Sequence, residues 1–338
     1  MSVFISRSFG PRVLPARWGL FALALLAAGA AAAQTIALNL TVSKSCFFVQ
    51  TNDTTPQPMG STPWAFEAQA TPAADRGIVW ANLTPPGGTA FALTNSLGST
   101  NAFWSGAFSN EAALTLAFPP GTYQAAAVLS SGDESFALSV NLSGPEFLNA
   151  PTILNLPAAQ SIQATNPFTL EWELVNGIGG NDTILLSLED ESGSQVFQTS
   201  FAPATSADRW AVISANTLRA NQNYRGVLIF SRVADFNLGF TESFSFWAAL
   251  ASFSKGTEFW ISTKPPVIRL RLEPSSVLPG GCDLRFNAEK DRTYDILASD
   301  NLTDWMTLDS LTATSNLASY TDPDWFLMPF RFYRVLAR

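Results

Sequence analysis

The stretch Phe168–Leu174 reads FTLEWEL. Its apolar residues Phe168, Leu170, Trp172 and Leu174 alternate with Thr169, Glu171 and Glu173. Side chains on a strand point to opposite faces with a period of two, so the stretch predicts a β-strand with one face in a core and one in water. Downstream, DTILLSLEDESGSQVFQTSF (Asp182–Phe201) sets Ile184, Leu186 and Leu188 inward, then a Glu-Ser-Gly-Ser turn, then a partner strand. Upstream, Phe136, Leu138, Val140 and Leu142 alternate with Ala137, Ser139 and Asn141. Short alternating runs punctuated by Gly, Pro, Asn, Asp and Ser predict an all-β fold of antiparallel sandwiches.

A second regularity occurs three times: a polar turn, a tyrosine, then an apolar strand. FPPGTYQAAAVL carries Tyr123, LRANQNYRGVLIF carries Tyr224 and AEKDRTYDILAS carries Tyr294. In a sandwich such a tyrosine fills core with its ring and returns its hydroxyl to upstream backbone. Trp172 and Trp305 belong to the core by phase. The phasing, with proline-bearing crossings at Leu142–Pro157 and Ile261–Leu270, predicts three tandem β-sandwich domains at 34–148, 149–263 and 264–338.

Residues 1–33 read as an export signal. Arg7, Arg12 and Arg17 precede the apolar run Gly19–Gly29, and Ala31 and Ala33 occupy the small-residue positions of a cleavage site before Gln34. Removing three of the 19 basic residues against 27 acidic ones leaves a net charge of about −11, which makes the chain a poor partner for nucleic acid or anionic lipid, since both need a cationic face. The longest later apolar stretch, Phe244–Phe253, is half the length needed to span a bilayer. The mature chain is therefore expected outside the cell or at its surface, without a membrane span. Cys46 and Cys282 each share parity with apolar neighbours in different expected domains, so buried free thiols are expected rather than a disulfide.

The middle run, with Trp172 in FTLEWEL and Tyr224 after TLRANQN, resembles a fibronectin type III or immunoglobulin-like sandwich. The last run resembles a C-terminal module common in large secreted proteins of environmental Gram-negative bacteria. The matching residues are Tyr294, Ser299–Asn301, Leu302, Trp305, Leu308, Asp322, Pro323, Phe332, Tyr333 and Arg334. These likenesses imply a fold and an extracellular address, and no reaction. FRFYRV, from Phe330, then reads as a closing strand, with Phe330 and Phe332 on one side and Arg331 and Arg334 near an edge.

The chain has no histidine, which removes His-based nucleophile pairs and His-bearing zinc sites, and no cofactor is expected. Carboxylate catalysis needs only two acids, and the close pairs are Glu171/Glu173, Glu189–Glu191 and Asp322/Asp324. All read as solvated faces or turns. Asp300, Asn301 and Asp304 in one loop, with Asp322 and Asp324 in another, are weak calcium candidates, because Asx residues also initiate turns by bonding their own backbone. Trp80, Trp247 and Trp260 fall out of phase with their apolar neighbours and are the ligand-binding candidates, or else cement between domains. The expectation is a secreted, non-catalytic protein acting in surface structure, adhesion or assembly, its partner a glycan or another surface protein. The alternatives are carbohydrate binding through exposed tryptophans and, third, a carboxylate-only hydrolase.

Overall fold

The computed structural model describes residues 36–338 apart from 54, 74–75, 96–99, 131–134, 144–146, 176, 242–244, 265–267, 276–277, 279–280, 289–291 and 328–330. The expected export signal and the Ala33–Gln34 cleavage site lie outside the described residues, as does Phe330 of the closing strand. The chain is nearly all β. It forms two compact units: one runs up to Leu156 and takes in Thr169–Ile213 and Tyr224–Trp260, the other comprises Pro157–Phe168, Ser214–Asn223 and Ile261–Arg338.

The first unit opens with a sandwich of β1 (Ile36–Val49), β2 (Gln57–Pro58), β3 (Trp64–Pro72), β4 (Ile78–Thr84), β5 (Phe91–Asn95), β6 (Ala102–Phe108), β7 (Thr122–Leu129) and β8 (Ser135–Asn141). β1, β3 and β6 form one layer and β4, β7 and β8 the other, while β5 pairs with both β6 and β4 and carries the sheet around the side. The alternation in β8 is strict: Phe136, Leu138 and Val140 are buried and the intervening residues exposed. A short helix, Glu111–Ala117, plugs the sandwich with Leu114 and is capped by Asn110, whose side chain accepts from the Ala113 amide.

The second sandwich comprises β9 (Phe168–Glu171), β10 (Thr183–Glu189), β11 (Gln195–Phe201), β12 (Trp210–Ile213), β13 (Asn223–Phe240) and β14 (Phe246–Ser262), and the same sheet continues into it through β14, β13, β10 and β11. Strands β11, β10, β13 and β14 lie side by side in that order, and β12 pairs with β9 in a separate two-stranded sheet. An isolated bridge from Ile153 to Trp172 extends that pair. Inward residues Leu170, Trp172, Ile184, Leu186, Leu188 and Phe230 are fully buried. Leu174, expected inward, is exposed, because the strand ends at Glu171. At Gly226 the Phe259 ring lies where a Cβ would stand, 2.3 Å away, so only glycine lets the two strands' core face close.

Parallel pairing of β1 with β14, from Ile36 opposite Phe246 to Val49 opposite Glu258, welds the two sandwiches into one continuous sheet. β1 and β14, which fall in the first and second expected domains, thus lie side by side in one sheet. Gln50, buried at the end of β1, reinforces the weld. Its Nε2 donates to the Ile153 carbonyl and its Oε1 accepts from the Ile153 amide, both at 2.8 Å, so one side chain mimics a paired strand.

The second unit holds a smaller sandwich of two three-stranded sheets. One is β15 (Leu270–Pro274), β16 (Cys282–Asn287) and β19 (Leu317–Asp322); the other is β18 (Met306–Thr312), β17 (Thr293–Ser299) and β20 (Phe332–Ala337), in those orders. Leu284, Phe286, Tyr294, Ile296 and Val335 fill the space between them. The closing strand β20 is at an edge, as read from the sequence, but its inward residues are Tyr333, Val335 and Ala337, and Phe332 faces solvent.

Candidate functional site

The exposed aromatics arise from three local causes. In β4 the register against β7 shifts between Ile78 and Trp80, and this bulge turns both Val79 and Trp80 outward, leaving Trp80 46% exposed. In β14 simple alternation exposes Trp260 at 42% between the buried Phe259 and Ile261. Trp247 is different: it is partly buried against the first core, its ring packed over Gly239. Trp247 and Trp260 stand near opposite ends of β14, and Trp80 is on β4.

A fourth indole does line a cleft. In β12, Trp210 and Val212 are exposed while Ala211 and Ile213 are buried, and Trp210 is 55% exposed. The cleft, about 420 Å³, lies between β11 and β12 and is lined by Phe197, Gln198, Thr199, Phe201, Asp208 and Trp210 among others. The Asp208 carboxylate accepts from the Thr205 amide and hydroxyl, and its carbonyl accepts from Trp172 Nε1 at 2.9 Å, so this wall is held from behind. The sequence reading missed Trp210, although WAVI alternates as plainly as FTLEWEL.

Several of the described carboxylates are engaged as ion-pair and turn partners. Arg225 bonds Glu258 at 2.6 Å and Glu189 at 3.2 Å across three neighbouring strands. Arg232 holds Asp182 at 3.0 Å. Glu171 and Glu173 stand exposed. Asp190 accepts from the Ser192 and Ser194 amides within its turn.

Of the calcium candidates, Asp322 is buried in a polar knot. The Tyr333 hydroxyl donates to it at 2.8 Å, Arg331 Nε lies 2.9 Å away and the Asp324 amide donates at 3.0 Å. Arg331, expected at an edge with its stem packed, is thus a buried ion-pair partner. Asn301 caps its own loop, accepting from the Thr303 and Asp304 amides and donating to Asp304. Asp300 is exposed. Among the described residues no three acidic or cysteine side chains converge on a point that could hold a metal ion.

The structural residues are placed as follows. Tyr123 is fully buried and its hydroxyl donates to the Pro119 carbonyl at 2.8 Å. Tyr224 and Tyr294 are equally buried. Trp305, expected in the core, is only half-buried: it precedes β18 in a loop and donates Nε1 to the Leu302 carbonyl. Cys46 and Cys282 are buried free thiols. Burial raises the Cys46 thiol pKa to about 11, with Lys255 opposing and Glu111 adding to the shift. Lys44, two residues earlier and facing the same core, is 3% exposed, and burial lowers its pKa against an opposing pull from Glu111.

No family model matches the chain, and no curated protein matches it. Among solved structures it is similar to the FN1–FN3 domains of chicken CNTN1, with 9% identity over 82% of this chain and 88% of that one and a TM-score of 0.21. It is also similar to a tetra-tandem repeat from the extending region of a large adhesion protein, with 12% identity over 89% and 74% and the same TM-score of 0.21. Scores this low carry no weight for function, and the all-β reading rests on the strands and their pairing.

Proposed function

We propose that this is an exported, non-catalytic β-sandwich protein acting in surface structure, adhesion or assembly outside the cell. The observation that carries the reading is the unbroken sheet, in which parallel pairing of β1 with β14 fuses two sandwiches into one body. A continuous hydrogen-bonded sheet resists bending between its parts far better than a linker does, which suits a part that must hold position. The engagement of Glu189, Glu258, Asp182 and Asp322 by arginines gives those acids a structural use. The reading includes cleavage before Gln34 and a third module that begins near residue 264. Two measurements test it: surface labelling of intact cells that express the chain, and a hydrolase panel on the purified protein. Turnover abolished by replacing one carboxylate would overturn it.

A second reading, carbohydrate binding, is favoured by the exposure of Trp80, Trp260 and Trp210, since flat solvent-facing indoles stack on sugar rings. Glycan-array binding lost in Trp80→Ala, Trp260→Ala or Trp210→Ala would promote it. An array with no signal would end it.

A further inference from the structure

Strands β5, β4, β7 and β8 lie side by side in that order and cover the first core with one face. Their register fixes what stands on the other. Ala92, Asn82, Ala126 and Ala137 form one row across the four strands. Beside it on one side run Trp80, Val128 and Ser135, and on the other Thr84, Gln124 and Ser139. Neighbouring strands are about 4.8 Å apart, so the alanine-rich row is a floor about 14 Å long. Same-face residues along a strand are about 6.6 Å apart, which sets the other two rows as banks. Trp80 is 46% exposed on its bank, and the β4 bulge brings Val79 out beside it.

Two properties set this face apart. IVWANLT, FALTN, TYQAAAVL and SFALSVN contain no acidic or basic residue, in a chain that is 14% charged. A merely solvated sheet surface carries charge, as the smaller sandwich does at Arg271, Glu273 and Arg285. Among the described residues, moreover, no hydrogen bond of the protein engages the side chains of Asn82, Gln124 or Ser139. The β8 edge, by contrast, is filled. The Asn141 amide donates to Asp235 Oδ2 at 2.7 Å, and Asn237 Nδ2 donates to the Ser139 carbonyl at 3.0 Å. The face, and not that edge, is what this layer offers a ligand.

We propose that this face binds a neutral, unbranched polysaccharide lying across the strands. The inference rests on the carbohydrate reading above and gives it a place and a ligand class. A sugar ring presents an apolar face of C–H bonds and a rim of hydroxyls. The Trp80 indole takes the first. The amides of Asn82 and Gln124 both donate and accept, and with the hydroxyls of Thr84 and Ser139 they take the second. The alanines let the rings settle between the banks, where longer side chains would hold them off. Charge sets the class: a uronate finds no cation on this face, and the chain's net charge of −8 repels it.

The test is native affinity electrophoresis of the purified chain in gels that hold a neutral glucan (hydroxyethyl cellulose or laminarin), a neutral mannan or acidic polygalacturonate. Wild type is expected to be retarded by at least one neutral polymer and to pass polygalacturonate freely. Trp80→Ala is expected to weaken binding about tenfold and Gln124→Ala about threefold. Ala137→Glu, which raises a side chain out of the floor, is expected to abolish it. All three should keep the wild-type melting temperature and circular dichroism. No retardation by any polymer overturns the inference, as does retardation by polygalacturonate alone. Retardation that Trp80→Ala and Ala137→Glu both leave intact overturns it too. If binding is lost instead in Trp210→Ala or Trp260→Ala, this inference fails and the carbohydrate reading stands. A dimer in sedimentation velocity that Trp80→Ala dissolves assigns the face to a second copy and likewise overturns it.

Discussion

Tyr123 shows how one side chain meets two demands: its ring stacks in the first core with Phe66, and its hydroxyl satisfies a carbonyl four residues upstream. Tyr123→Phe keeps the ring and orphans the Pro119 carbonyl, so a loss of about 1–2 kcal/mol is expected in urea unfolding. Lys44 makes a contrary case, a cation held where water is scarce. Its folded pKa lies below its unfolded value of 10.5, so the folded state disfavours the proton. Stability is therefore expected to rise as pH climbs from that lowered pKa towards 10.5, and the rise should vanish in Lys44→Met, which should also gain roughly 1 kcal/mol at neutral pH. Cys46, with its thiol pKa at about 11, is expected to resist alkylation at pH 8 in native protein and to react once unfolded. Residue-level legibility followed the periodicity. Phe136, Leu138 and Val140 were readable because nothing interrupts β8. Trp80 was read as out of phase with its neighbours, but the bulge that turns it outward was not, because no single-sequence pattern reports a register shift.

Strands and the hairpin of β10 with β11 were readable, while partners distant in sequence were not. FTLE, TILLSLE and CDLRFN all form strands. The pairing of β1 with β14 had no local signal, since parallel neighbours far apart in sequence leave no turn to read. Gln50 lies at that junction. Gln50→Ala leaves the Ile153 amide and carbonyl both unpaired in a buried place, and a loss of roughly 2–4 kcal/mol is expected in thermal or urea unfolding. In the smaller sandwich, Asp322→Ala strands Arg331 and the Tyr333 hydroxyl, both packed around it. That change is expected to cost about 3–5 kcal/mol and to melt β19 and β20 first, visible as early loss of amide protection there. Arg331 looked like an ornament of the final strand in sequence, and only the position of Asp322 gives it a task.

On the scale of the whole molecule, two sandwiches share one sheet, and the first strand finds its neighbour about two hundred residues later. The first sandwich therefore cannot seal until β14 has been made. A ribosome that has released β8 has released only a half-covered sheet, whose Leu40 and Val42 still lack the Ala249 and Ala251 that flank them in the finished protein. Such late closure slows spontaneous collapse into a finished body. Under the export proposed above, that tardiness would be an asset, because a chain that closes late can still be threaded through a narrow translocation channel.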